Sequence, residues 1–111
     1  MSRPSGAADV RQGDRARLSP EPSSRPWLVM SHSEQHRALG LAIVVPLTSI
    51  DRGWETHVRM NPGAEEAEVA MCELVRSIPV SALREVDQAP FPDELVEQVH
   101  SILKTLTAPR R

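Results

Sequence analysis

The chain has 111 residues, with 13 Lys/Arg against 15 Asp/Glu for a net charge of −2, and only three aromatic residues, Trp27, Trp54 and Phe91. A chain this long makes one domain, and a core so poor in aromatics has to rest on Val, Leu, Ile, Ala and Met. The charge balance argues against a generic nucleic-acid binder. No apolar stretch approaches the roughly 20 residues that span a bilayer, and the N-terminus carries no apolar signal core, so a soluble cytoplasmic protein is expected.

Residues 1–12 are polar and rich in Ser, Gly, Ala and Arg, the composition of a disordered tail. Residues 13–106 form the domain, and 107–111 are a frayed basic tail. A first strand begins near Gly13 and takes in the alternating Arg15-Ala16-Arg17-Leu18. A loop with two prolines, 19–24, follows, and a second strand spans 26–31 with proline at its first position. Residues 32–39 read as a polar connection. The run 40–47 is almost unbroken in apolar residues and reads as a strand buried on both faces.

Asp51-Arg52-Gly53 is a turn. Residues 56–60 alternate as a strand does, and Asn61-Pro62-Gly63 stops it. The segment 68–78 holds two short strands or one bent strand. A single helical turn over 79–83 leads into a last short strand, 84–87. The final segment is a helix: Pro92 suits its first turn, Asp93 and Glu94 suit the positive end of its dipole, and Leu95, Val96, Val99, Ile102, Leu103 and Leu106 make one apolar face. The fold class is therefore mainly β with a C-terminal α-helix, a small curled antiparallel barrel. A small aliphatic core also suggests a homodimer.

Few residues offer chemistry. The single cysteine, Cys72, excludes an intramolecular disulfide and a multi-cysteine zinc site, and its apolar neighbours predict a buried, inert thiol. His32 and His36 stand four apart, a ligand spacing on a helix, but their segment reads as loop, so neither a metal nor another cofactor is expected. Basic residues lean to the first half: eight arginines against six acids in 1–60, five bases against nine acids in 61–111. Arg25 and Thr48 stand out, each at the abrupt end of an apolar strand. Arg is a flat, permanently charged fork that matches phosphate oxygens. The plain alternatives are a solvated Arg and a strand-end hydroxyl bonded to backbone.

In order, Gly13-Asp14, Arg25-Pro26, Trp27 to Ser31, Pro46-Leu47-Thr48-Ser49, Thr56-His57-Val58, the run Val69 to Ile78 and the closing helix resemble the MazF/PemK family of toxin endoribonucleases. The resemblance implies a CcdB-like, SH3-like barrel that pairs as a homodimer. It implies metal-independent cleavage of single-stranded RNA, in which the substrate's 2′-hydroxyl attacks its own phosphodiester. A 2′,3′-cyclic phosphate and a 5′-hydroxyl result. Carried over, Arg25 contacts the scissile phosphate and Thr48 its non-bridging oxygens. Glu73 either orients Arg25 or receives a proton, or is a structural partner of Arg76 or Arg84. Ser31, Ser49 and His57 fall in the matched segments and are expected along the RNA path. Arg15 and Arg17 turn outward, towards RNA or simply towards water.

The implied partner is a MazE-like antitoxin, whose acidic, partly disordered tail crosses the same groove. Three features depart from the family pattern: a short loop before Arg25, Leu74 in place of a usual Gln, and arginines at 15 and 17. They keep open an alternative, a non-cleaving CcdB-like module that acts on a protein such as gyrase, or only on its antitoxin. A plain SH3-like interaction domain is a further option, disfavoured by the lack of aromatics.

Overall fold

The computed structural model describes residues 10–18, 25–84 and 89–109. Among the described residues the strands and α-helices run in the order β1 (Arg15–Leu18), β2 (Trp27–Val29), α1 (Ser33–Leu39), β3 (Leu41–Thr48), β4 (His57–Arg59), β5 (Val69–Met71), β6 (Arg76–Pro79), β7 (Leu83–Arg84) and α2 (Asp93–Thr107). The strands form one curled sheet in the order β4-β5-β3-β2-β1-β7, with β6 also paired to β3. Every pairing is antiparallel. The barrel-like, mainly β architecture with a C-terminal helix is thus the observed one. The expected loop 19–24, most of the tail 1–12 and the expected strand residues 85–87 lie outside the described residues.

β3 is the spine. Its first half, Leu41 to Val44, pairs with β6, its last two residues pair with β5, and its other edge carries β2. β5 and β6 are therefore the two short strands foreseen for 68–78, separated by a 3-10 turn over Cys72–Leu74. Val80–Ala82 is the second such turn.

Alternation across β2 and β3 divides the apolar side chains between two cores. Leu28, Val45 and Leu47 join Val58, Ala70 and Cys72 beneath Val96 and Val99 of α2. Val29 and Val44 join Val10, Ala16, Ala42, Ile78 and Leu83 on the opposite face. The expectation that 40–47 is buried on both faces holds only from Val44 onward. Leu41 and Ile43 are 45% and 43% exposed, because in the first half of the strand only the Ala42/Val44 face meets a core. In α2 the face built on Val96 and Val99 is buried, while Leu106, placed on that face by sequence, is 47% exposed in the last turn.

The connection expected over 32–39 is instead the helix α1. Its residues are good helix formers, and at its start the His32 N–H donates to Gln35 Oε1 at 3.4 Å. Gly40 ends it at φ 68°, donating its N–H to the His36 carbonyl at 2.9 Å, a left-handed step that glycine takes at no steric cost. His36 pins the helix to the barrel. Its Nδ1 lies 3.0 Å from the Val10 carbonyl, which can only accept, so Nδ1 carries the hydrogen and Nε2 receives the Ser31 hydroxyl at 2.6 Å. Ser31 Oγ in turn accepts the Ile43 N–H at 2.8 Å. Both ring nitrogens of His36 are committed to protein partners, and burial holds its pKa below the ordinary histidine value.

Candidate nucleic-acid interface

Where β2 begins and β3 ends, the sheet opens into a groove of about 360 Å³ lined by Arg25, Pro26, Thr48, Ser49 and Ile50 on one side, and by Arg15, Glu66 and Glu68 on the other. The register explains the meeting. Pro46 pairs with Trp27 and Thr48 with Val69, so the start of β2, the end of β3 and the residues entering β5 share one end of the sheet. The Leu47 N–H donates to the Pro26 carbonyl at 3.1 Å and ties the two strand ends together. Arg25 and Thr48, 23 positions apart in sequence, are thereby brought to one groove.

Their chemical states differ. Arg25 is exposed, and among the described residues no carboxylate pairs with it. Thr48 Oγ1 accepts the Ile50 N–H at 3.2 Å. That bond uses an oxygen lone pair and leaves the hydroxyl hydrogen available to an incoming acceptor. Arg15 is committed: its Nη2 and Nε stand 2.8 and 2.9 Å from Glu68 Oε2. Among the described lining residues two arginines face two glutamates, a balanced set in which Arg25 is the exposed cation.

The other residues expected on an RNA path divide between the groove and the rest of the barrel. Ser31 is 5% exposed and holds His36 and Ile43 as described, so its hydroxyl serves the fold. Ser49 lines the groove. Arg17 sits opposite Arg84 across the β1–β7 pair, outside the groove lining.

Glu73 stands in the 3-10 turn after β5, is not among the described residues that line the groove, and pairs with neither Arg76 nor Arg84. Its Oε1 accepts the Thr56 hydroxyl at 2.8 Å and its Oε2 lies 2.9 Å from His57 Nε2. Burial opposes charge on Glu73, but the hydrogen bonds from His57 and Thr56 outweigh it and leave its pKa below the ordinary carboxylate value. Arg76 instead stands over the Trp27 ring, 5.8 Å from its centroid. The His57 side chain is 2% exposed, and its Nδ1 has no hydrogen-bond partner among the described residues.

Cys72 is fully buried, and burial, aided by the Glu73 charge, pushes its thiol pKa up to about 11. The burial expected from its neighbours is the one observed. Among the described residues no helix is long and apolar enough to cross a membrane, and no group of three or more His, Cys, Asp and Glu gathers as a metal site.

Sequence reasoning missed Glu66 and Glu68 as groove residues. Their only signal was an acidic run between two short strands, which reads equally well as a solvated turn.

Comparison with known proteins places the fold. Among solved structures, MazF from Deinococcus radiodurans superposes with a TM-score of 0.74 at 21% identity, covering 90% of this chain and 97% of that one. The MazE–MazF complex from the same organism gives 0.76 at 21% identity, over 91% and 97%. A mycobacterial endoribonuclease in complex with its cognate antitoxin gives 0.73 at 19% identity, over 92% and 99%. No curated protein matches the sequence significantly. A family model for the PemK-like, MazF-like toxin of type II toxin–antitoxin systems matches residues 11–107. With the match running from β1 through α2, the chain belongs to the PemK/MazF-like toxin family of type II toxin–antitoxin systems.

Proposed function

We propose that this toxin is a metal-independent endoribonuclease that cleaves single-stranded RNA in the groove between Arg25 and Thr48. The observation that carries the proposal is the meeting, in one open groove, of an arginine that no carboxylate pairs with among the described residues and a hydroxyl whose hydrogen is available. The substrate's 2′-oxygen attacks phosphorus, the P–O5′ bond breaks, and the products are a 2′,3′-cyclic phosphate and a 5′-hydroxyl that takes up the proton. The protein needs no nucleophile of its own. As the phosphorane forms, charge on the non-bridging oxygens rises. A fixed guanidinium and a hydroxyl donor then stabilise it more than they stabilise the ground state. An arginine stays protonated at neutral pH, so Arg25 acts by charge and not as a proton shuttle. Glu73 holds His57 and Thr56 in place in this reading and has no proton to move at the groove.

The toxin works as a homodimer in the cytoplasm. Leu39, Leu41 and Ile43 are exposed at 68%, 45% and 43%, an apolar surface that a second copy would cover. Its antitoxin is MazE-like and lays an acidic tail on Arg25, so RNA and antitoxin compete. Solved relatives described as an endoribonuclease with its cognate antitoxin and as a MazE–MazF complex support this reading. The matches are to MazF toxins, which gives no support to a CcdB-like module aimed at gyrase.

The test is cleavage of mixed-sequence, end-labelled single-stranded RNA in excess EDTA. Cutting by the unmutated protein, lost in Arg25→Ala and strongly reduced in Thr48→Ala, is the expected result. Undiminished cutting by both variants would move the site elsewhere.

A further inference from the structure

The charge balance of the groove raises a question about affinity. Among the described lining residues two arginines face two glutamates, one arginine is locked to Glu68, and the whole chain carries −2. Phosphate attraction is therefore modest, and tight binding of a single strand needs a source that does not depend on charge. Base stacking on an aromatic ring is such a source.

Of the three aromatics, Phe91 packs against the α2 core, and Trp27 is half-buried with Arg76 over its ring. Only Trp54 stands out in solvent, 54% exposed. A lone surface tryptophan is unremarkable by itself, but this one is held firmly. Its ring centroid lies 4.9 Å from that of His57, His57 is tied to Glu73, and Glu73 to Thr56. The Trp54 carbonyl also accepts the His57 N–H at 3.0 Å. The Arg52 guanidinium stands 5.5 Å from the indole centroid, a flat cation in the kind of position a stacked nucleobase takes.

The register places this shelf beside the groove. Thr48 and Arg59 both face Val69 across β5, while His57 faces Met71 two positions further on. Thr48 and His57 therefore project from the same face of the sheet, because side chains two apart on a strand share a face. The opposite face carries Leu47, Ala70 and Val58 into the core. Two strand spacings and two residues of rise separate Thr48 from His57, about 12 Å, and the loop 49–56 spans that distance. A strand whose phosphate sits on Arg25 and Thr48 has a neighbouring base within reach of Trp54.

From this arrangement, and resting on the endoribonuclease reading above, we infer that Trp54, with Arg52, is the base-stacking residue that supplies charge-independent affinity for single-stranded RNA. Arg52 moves off the indole to the far face of the base, or to its phosphate, when RNA enters.

The probe is a pool of mixed-sequence, fully 2′-O-methylated octanucleotides, which binds without being cut. Trp54→Ala should weaken binding about five- to a hundred-fold with an unchanged dependence on salt, and Trp54→Phe should restore most of the loss. Arg25→Ala, by contrast, should flatten the salt dependence. In a Trp27→Phe background the remaining indole emission should be quenched on binding. Affinity unchanged in Trp54→Ala, a loss that Phe does not restore, or a loss that alters the salt dependence overturns the inference. If the unmutated protein neither binds the pool nor cuts RNA, the endoribonuclease reading itself fails and takes this inference with it. Cutting that persists while Trp54→Ala binds normally refutes the stacking role alone.

Discussion

Replacing Glu68 by glutamine should make the groove a better phosphate binder without changing its shape. The carboxylate lies 2.8 and 2.9 Å from two nitrogens of Arg15, and the two side chains are only 20% and 15% exposed. A glutamine oxygen can still accept from Arg15. The backbone bonds of Glu68, its N–H to Asn61 Oδ1 and its carbonyl from Met60 N–H, do not involve the side chain. The substitution therefore removes one negative charge beside Arg15 and shifts the described set of two arginines and two glutamates towards positive charge. For a single strand, each additional phosphate neutralised steepens the slope of log K against log salt by about 0.7. Between about 50 and about 200 mM salt, Glu68→Gln should thus lose roughly two- to three-fold more affinity than the unmutated protein, starting from tighter binding at low salt. Fluorescence anisotropy of a labelled 2′-O-methyl octamer pool across a salt series reads both quantities. A slope equal to that of the unmutated protein would show that phosphates do not pass this wall of the groove.

Other outcomes follow from the same contacts. With its pKa pushed up to about 11, Cys72 is thiolate in roughly one molecule in a thousand near pH 8, so Ellman's reagent should react with it only as fast as the protein unfolds; prompt reaction of the native protein would contradict its burial. His36 has a lowered pKa, so the unfolded chain binds more protons just below the ordinary value of 6.5 and stability falls as pH drops through that window. Thermal melts from about pH 7.5 to about 5 should show that fall, and it should shrink in His36→Gln; an identical pH dependence in the variant would remove His36 as the cause. Glu73→Ala strips partners from a buried imidazole and a hydroxyl, at about 1–3 kcal/mol, read by urea denaturation; a change below about 0.5 kcal/mol would mean that the Thr56–Glu73–His57 bonds do not form.

What was legible in the sequence divides along physical lines. α2 declared itself because its burial repeats every three to four residues and its first turn carries Pro92, Asp93 and Glu94. The strand at Arg15–Leu18 and the pair β5/β6 were visible in alternation and in turn residues between them. α1 was not, because it has no apolar stripe. Its anchor is one buried histidine, His36, whose partners Val10 and Ser31 come from distant and neighbouring segments, and only Gly40 at its end signals a helix stop. The groove was half legible. Arg25 and Thr48 mark strand ends that a family resemblance singled out, whereas the Arg15–Glu68 pair spans 53 positions and the Glu73–His57 pair 16, and no local pattern encodes either. Ser31 sat in a matched segment but faces inward, a distinction that depends on where His36 lies. Trp54 drew no attention in sequence because its support, the His57–Glu73–Thr56 chain, exists only after β4 and β5 pair.

The most direct test of RNA cleavage at Arg25 and Thr48 uses the substrate's own hydroxyl. Once a cut site has been mapped, the same RNA is made with 2′-deoxyribose at the single nucleotide 5′ to the cut. Cleavage at that position should disappear while binding, measured with Arg25→Ala alongside as the weakened control, stays within about twofold of the all-ribose strand. Continued cutting at the deoxy position would mean that the nucleophile is water or a protein group, and would contradict the mechanism drawn from the groove.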